Sequence, residues 1–422
     1  MLRIISALVS AALLFMSAPS LGEDGDTEDE VDYEDIGAEL AVDGDGSIDD
    51  ATGSIVDIVQ KRGFGAKGDI RTGYFVSETD GRDGSKDDDD FLAARWRVEG
   101  SWNGTETWRL AARVAGLCST NECDPNFTLD DNIPTSSGMR EGDITLDELF
   151  VHWFRSQDFD LALGRMQTKF VARGGVFAKS LDRNDSHNTN VNWTDGLHGT
   201  IKTRFGWVSH LILQYSAEDG PTNVRRDPLD FTDDDSRITG FLAFENRFPK
   251  GLLLQRGFDI SYLPASLLKD GTLSGRREDY WGLVVRGAAR WPQRSEGIRL
   301  RFAGEIGYAP ETQTRRAANL PGSGDVDGWA WNVVVSLMDF APSHSVGVNY
   351  GRTDPGWLLS PQYRPNDELF DILYQWRRTP NLAIDVRVRW REEIDRQIGA
   401  TRKRDEVDFF VRFTWGFSLS EI

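Results

Sequence analysis

Between residues 66 and 417 apolar and polar side chains alternate with a period of two. Leu382, Ile384, Val386, Val388 and Trp390 interleave with Ala383, Asp385, Arg387, Arg389 and Arg391. Ile298, Leu300, Phe302, Ile306 and Tyr308 do the same against Arg299, Arg301 and Glu305, as do Leu92, Trp96, Val98 and Trp102 against Arg95, Arg97, Glu99 and Ser101. In an extended chain successive side chains point to opposite faces, so each stretch predicts a strand with one apolar and one wet face. Sixteen such strands are predicted, at 66–78, 91–102, 106–116, 144–155, 158–167, 197–205, 207–216, 236–248, 253–263, 279–291, 297–309, 327–338, 344–352, 368–378, 381–392 and 405–417.

The links between them alternate in length. After even strands they are tight, as at Asn103-Gly104, Ser156-Gln157, Pro249-Lys250-Gly251 and Thr379-Pro380. After odd strands they are long and rich in Asp, Gly, Pro, Asn and Arg. An antiparallel transmembrane barrel whose two chain ends lie on one side, the periplasmic one, produces this parity. The strands are also longer than the roughly 5–6 residues usual in soluble sheets and suit a tilted crossing of lipid. The fold expected is therefore all-β, a closed antiparallel barrel of about sixteen strands. Such a barrel encloses more space than side chains fill, which turns the arginine face toward water and the apolar face toward acyl chains. Aromatic residues gather near the tight turns, among them Trp102, Trp108, Trp153, Phe154, Phe159, Phe205, Trp207, Phe248, Trp291, Phe340, Trp376 and Phe417. An interfacial girdle has this placement.

Here the chain resembles the sixteen-stranded porins of Gram-negative outer membranes, including their anion-selective branch. The resemblance spans about 61–417 as an architecture. It is sharpest at Asp147-Glu148-Leu149-Phe150-Val151, at Leu161-Ala162-Leu163-Gly164-Arg165, at the long third loop, and at Trp193–Gly199 leading into the next strand. It implies passive diffusion of small hydrophilic, anionic solutes, a homotrimer, and neither enzymatic activity nor a cofactor. One departure is the C-terminus, where Phe417 is followed by Ser-Leu-Ser-Glu-Ile instead of closing the chain on an aromatic residue.

Charge refines the picture. The 422 residues hold 48 Lys and Arg against 68 Asp and Glu, a formal charge of −20. That argues against nucleic acid as a partner, since phosphate binding needs a basic patch. Much of the acidity belongs to one stretch: Glu23 to Gln60 contains fifteen acids and no base. With so few large apolar groups it cannot offset the entropy of ordering, so residues 23–64 are expected to be a disordered periplasmic segment ahead of a barrel over 65–422. Residues 1–22 have a basic Arg3, an apolar run from Ile4 to Met16, and small residues at Ser20 and Gly22, which predict a cleaved signal peptide and export.

The wet faces supply the candidate functional residues. Bore-facing arginines are predicted at Arg71, Arg95, Arg97, Arg109, Arg113, Arg286, Arg290, Arg299, Arg301, Arg387, Arg389, Arg391 and Arg412, and the bore-facing acids are fewer, chiefly Glu99, Glu305, Asp385 and Asp408. Closure of the last strand on the first would join the arginines of both chain ends in one basic wall. Guanidinium keeps its charge and offers a planar donor fork to carboxylate or phosphate, so such a wall favours anions, unless it is neutralised by pairing with the inward acids. The third long loop, about 171–196, is expected to enter the bore as a constriction carrying Arg173, Lys179, Asp182, Arg183, Asp185, Asn188 and Asn190. Cys118 and Cys123 are expected to form a disulfide within the second loop, two ligands being too few for a metal. Acidic loops at Asp87–Asp90 and Asp233–Asp235 are candidates for cation-mediated contact with lipopolysaccharide. A barrel hydrolase and a plugged adhesin or receptor are the rival readings. None of His152, His187, His198, His210 and His344 stands in a nucleophile motif.

Overall fold

The computed structural model describes residues 63–419, except 106, 128–141, 157, 168–169, 171, 173–174, 177–192, 204–205, 217–236, 248–250, 272–276, 293–296 and 361–362. The sequence closes into an antiparallel sixteen-stranded barrel. We number the barrel strands β1 (Gly63–Asp80), β2 (Lys86–Thr105), β3 (Trp108–Ser119), β4 (Asp143–Ser156), β5 (Phe159–Gln167), β6 (Trp193–Lys202), β7 (Trp207–Ser216) and β8 (Arg237–Arg247). The second half comprises β9 (Leu253–Leu268), β10 (Arg277–Trp291), β11 (Arg299–Tyr308), β12 (Trp329–Ala341), β13 (His344–Thr353), β14 (Asp367–Thr379), β15 (Leu382–Glu393) and β16 (Asp405–Leu419). Each strand pairs with its sequence neighbours, and β1 completes the circle by pairing with β16 from Ala66↔Leu419 to Asp80↔Asp405. A two-residue parallel ladder, Asn126–Phe127, lies beside the start of β4.

The alternation sorts side chains as the sequence predicts. Outside stand exposed Ile70, Leu92, Val98, Trp102, Leu163, Ile238, Val285, Ile306, Trp329 and Val333, while the charged partners of the pattern are buried inside. A soluble protein reverses this arrangement, and so continuous an apolar outer surface needs a nonaqueous neighbour. Phe154 departs from the girdle reading. It shares the inward phase of β4 with Phe150 and His152, and its ring packs 4.0 Å from that of His152.

Two boundaries also differ from the sequence reading. β1 begins at Gly63, ahead of the boundary at 65, and residues 1–62 with the expected signal peptide and nearly all of the acidic segment lie outside the described residues. The first hairpin runs on beyond β3, with Thr79 opposite Asp87 and Val76 opposite Asp90. Asp87–Asp90 are thus exposed strand residues and not loop residues. The other acidic run, Asp233–Asp235, lies outside the described residues. Cys118, near the end of β3, is bonded to Cys123, and the turn they close is tied to β2 by Thr120 N–H donating to the Leu92 carbonyl at 2.9 Å.

Candidate functional site

All thirteen predicted bore-facing arginines occupy the inward phase of their strands, and Arg71, Arg95, Arg97, Arg113 and Arg412 are among the largest fully buried side chains. The acids facing them are more numerous than the alternation suggested. Besides Glu99, Glu305, Asp385 and Asp408, the inward phase holds Asp69, Glu148, Asp160, Glu245, Asp259, Asp367, Asp371, Glu393 and Glu406. Glu148 shares the inward phase of Phe150 and His152, and a register shift between Arg113 and Val114, an extra residue in β4, hands that phase to Thr145 beyond it.

Cross-strand register brings opposite charges together. Asp385 stands opposite Arg412, and its carboxylate accepts from Arg412 Nη2 at 2.7 Å. Arg389 stands opposite Asp371 and donates through Nε at 2.7 Å. Arg286 lies between Asp259, which it touches, and Glu305, 3.4 Å away. Arg109 reaches Glu99 at 2.8 Å, Arg113 reaches Glu148 at 3.2 Å, and Arg299 reaches Asp339 at 2.6 Å. The bore-facing arginines thus belong to a charged lattice, in which pairing offsets much of the cost of burying each ion. Two places depart from it. Arg71 and Arg95 share Asp69, at 3.4 and 2.8 Å, with Arg97 opposite that same residue in register. Arg387 lays its guanidinium over the Phe410 ring at 4.3 Å, and its Nε has no hydrogen-bond partner.

A second inner cluster is built from histidines. His152 Nε2 lies 3.0 Å from Asp160 Oδ1, and its Nδ1 makes no hydrogen bond. His198 Nε2 lies 3.0 Å from His210 Nδ1, with Glu245 3.6 Å beyond. These are buried polar pairs beneath aromatic rings, Phe154 over His152 and Phe170 beside His210. Among the described residues no group of three or more His, Cys, Asp or Glu is placed to hold a metal ion.

Two non-strand segments enter the interior. After β5, Phe170 packs with Phe241 and Ile212 on the β7–β8 wall, and Ala172 packs against Ala288, Ala303 and Val334. Val176 then meets Met338, Leu373 and Phe410. The chain thus crosses from β8 toward β16. The polar constriction residues assigned to this loop, Arg173, Lys179, Asp182, Arg183, Asp185, Asn188 and Asn190, lie outside the described residues.

The second segment is the link between β13 and β14, one of the long links after odd strands. It folds inward and buries Trp357, Leu358 and Leu359 against Leu263, Leu267, Tyr280, Val284, Ala309 and Ala330. Tyr280 clamps it, donating from its hydroxyl to the Gly356 carbonyl at 2.9 Å and accepting from Leu358 N–H at 3.0 Å. Room for it comes from absent side chains: a Cβ on Gly307 would stand 2.8 Å from the Trp357 ring, and one on Gly282 would stand 2.4 Å from Leu359. The signal available in the sequence was the Trp-Leu-Leu run itself, three large apolar residues in a link. Above this strap neighbouring links are stitched together. Asn319 Nδ2 donates to Gln397 at 3.0 Å, Asn366 Nδ2 to the Asp395 carbonyl at 2.7 Å, and Thr401 Oγ1 to the Arg82 carbonyl at 2.8 Å.

No family model matches the chain, and no curated protein does. Solved structures do. OprB of Pseudomonas putida aligns with 9% identity and a TM-score of 0.53, covering 87% of this chain and 97% of its own. An anion-selective porin from Comamonas acidovorans aligns with 10% identity, 85% and 100% coverage and a TM-score of 0.48. OpdQ of Pseudomonas aeruginosa aligns with 12% identity, 85% and 98% coverage and a TM-score of 0.48. At such identity the likeness to OprB gives the fold, that of the sixteen-stranded porins.

Proposed function

We propose that this chain is an outer-membrane porin that lets small hydrophilic solutes, preferentially anions, diffuse through its bore. The observation that carries the reading is the inverted distribution of polarity in a closed barrel, with an exposed apolar exterior and an interior of arginine, carboxylate, amide and histidine. Such a wall offers solutes hydrogen-bonding groups while the exterior suits acyl chains. The porin fold it shares with OprB agrees with this role. In this reading the chain is exported behind residues 1–22, sits in the outer membrane among lipopolysaccharide and assembles as a homotrimer.

Anion preference rests on less than the full arginine count, because pairing neutralises much of the wall. It rests on Arg387, which lies over Phe410 and whose Nε has no hydrogen-bond partner. The test is recording in planar bilayers. Stepwise conductance is expected, with a reversal potential in a salt gradient that indicates anion preference and weakens in Arg387→Glu with Arg389→Glu. Absence of any conductance step overturns the porin reading. Cation preference in the parent overturns only its selectivity.

A further inference from the structure

We propose that the outer face of the barrel, at the end where the links are short, binds the phosphate of membrane phospholipids at two sites where an arginine lies on a tryptophan: Arg256 on Trp207 and Arg378 on Trp376. The inference rests on the porin reading only for which leaflet supplies the lipid.

Both pairs stand where the strand phase turns side chains away from the bore. Trp376 follows the buried Gln375 in β14, and a register shift between Arg377 and Thr379 leaves Arg378 as the extra residue of that strand. The Arg378 guanidinium lies 5.3 Å from the centre of the Trp376 ring and, among the described residues, makes no ion pair. The same indole stacks on His344 at 5.3 Å and 9°, and His344 Nδ1 lies 2.5 Å from the Tyr374 hydroxyl, so the ring under Arg378 is held by its neighbours. On another wall Trp207, Asn246 and Arg256 form one cross-strand row over β7, β8 and β9, and the exposed Arg256 lies 4.7 Å from the centre of the Trp207 ring. Trp207 opens β7 and Arg378 is the last residue but one of β14, which puts both pairs at the end with short links.

The other rim of the same outer face carries the opposite chemistry. There tyrosines hold carboxylates: Tyr74 donates to Asp90 at 2.9 Å, Tyr262 to Asp279 at 3.0 Å and Tyr350 to Glu368 at 3.3 Å. One rim thus offers guanidinium on indole and the other carboxylate beside phenol. Aromatic rings settle at the depth of lipid headgroups, and a guanidinium held over such a ring stands at that depth with its donor fork extended. A phosphate diester accepts two parallel hydrogen bonds from this fork, and the negative charge of the lipid answers that of the arginine. The indole beneath gives apolar surface to the first acyl methylenes, which free phosphate lacks. In the porin reading the end with short links faces the periplasm, so the periplasmic leaflet supplies the lipid.

Native mass spectrometry of the full chain in a non-ionic detergent tests this, with dioleoylphosphatidylglycerol, with dioleoylglycerol, which lacks the phosphate, and with inorganic phosphate as a competitor. The phospholipid is expected to bind about tenfold more tightly than dioleoylglycerol. Arg256→Gln with Arg378→Gln should weaken phospholipid binding about fivefold, while Asp90→Asn with Asp279→Asn, at the other rim, should leave it unchanged. Equal binding of the two lipids overturns the inference, as does parent-like binding in the arginine double variant or an equal loss in the aspartate one. Release of the phospholipid by an excess of inorganic phosphate also overturns it, in favour of a site for free anions. If the phospholipid binds as expected and the chain shows no conductance step in planar bilayers, the porin reading falls and the lipid sites stand.

Discussion

The wall from β9 to β13 and the wall from β14 round to β4 share one strand pattern. The first carries an apolar strap in addition to ion pairs such as Arg286 with Asp259 and Glu305, whereas the second has no such strap among the described residues. The first is covered by the 354–359 strap and holds an apolar cluster centred on Trp357, with Tyr280 as its clamp. The second holds ion pairs set by cross-strand register, such as Arg412 with Asp385 and Arg389 with Asp371. Apolar packing is additive, tolerant of salt and indifferent to the sign of a solute. An ion-pair lattice offers charge to a solute, but each member is costly once its partner is removed. The barrel therefore keeps a stiff side and a chemically addressable side, and each should fail in its own way.

The largest expected effect falls on the stiff side. Trp357→Ala should lower stability by about 4 kcal/mol, within the usual cost of removing a buried aromatic side chain. Urea unfolding in detergent measures it, and proteolysis should newly cut within 354–366. An unchanged midpoint would mean that the strap does not stabilise the barrel. On the addressable side Asp385→Asn should cost about 3 kcal/mol by leaving Arg412 buried without its counter-charge, and Asp385→Leu with Arg412→Met should recover most of the loss. Failure of the double variant to recover would show that the pair does more than neutralise itself. Arg387→Met should cost about 1 kcal/mol, the scale of a cation–π contact, and reduce anion preference in the reversal potential. The smallest effect is expected at the stitched rim, where Arg315→Ala, which removes a half-exposed contact with Asp395, should change stability by less than about 1 kcal/mol.

The strands were legible because alternation is a local signal, and all sixteen formed near their expected positions. The charge balance was not legible, because pairing is a property of register between strands. Asp69 finds Arg95, and Glu148 finds Arg113, only after neighbouring strands align. The strap was missed for a related reason. Trp357 reads as a stray aromatic residue until Gly307 and Gly282, far away in sequence, prove to be the space it occupies. Asp87–Asp90 looked like a loop on composition, yet pairing with Val76–Thr79 holds them in a strand.

The seam between β1 and β16 also bears on assembly. Its two edges are separated by nearly the whole described chain, so the cylinder cannot close until the last strand has been made. Every earlier species carries two unsatisfied edges, each a template for pairing with another molecule. A truncation ending before Asp405 would therefore be exposed to aggregation for as long as it persisted, and the cell would need to hold nascent chains apart until their final fifteen-residue strand was available.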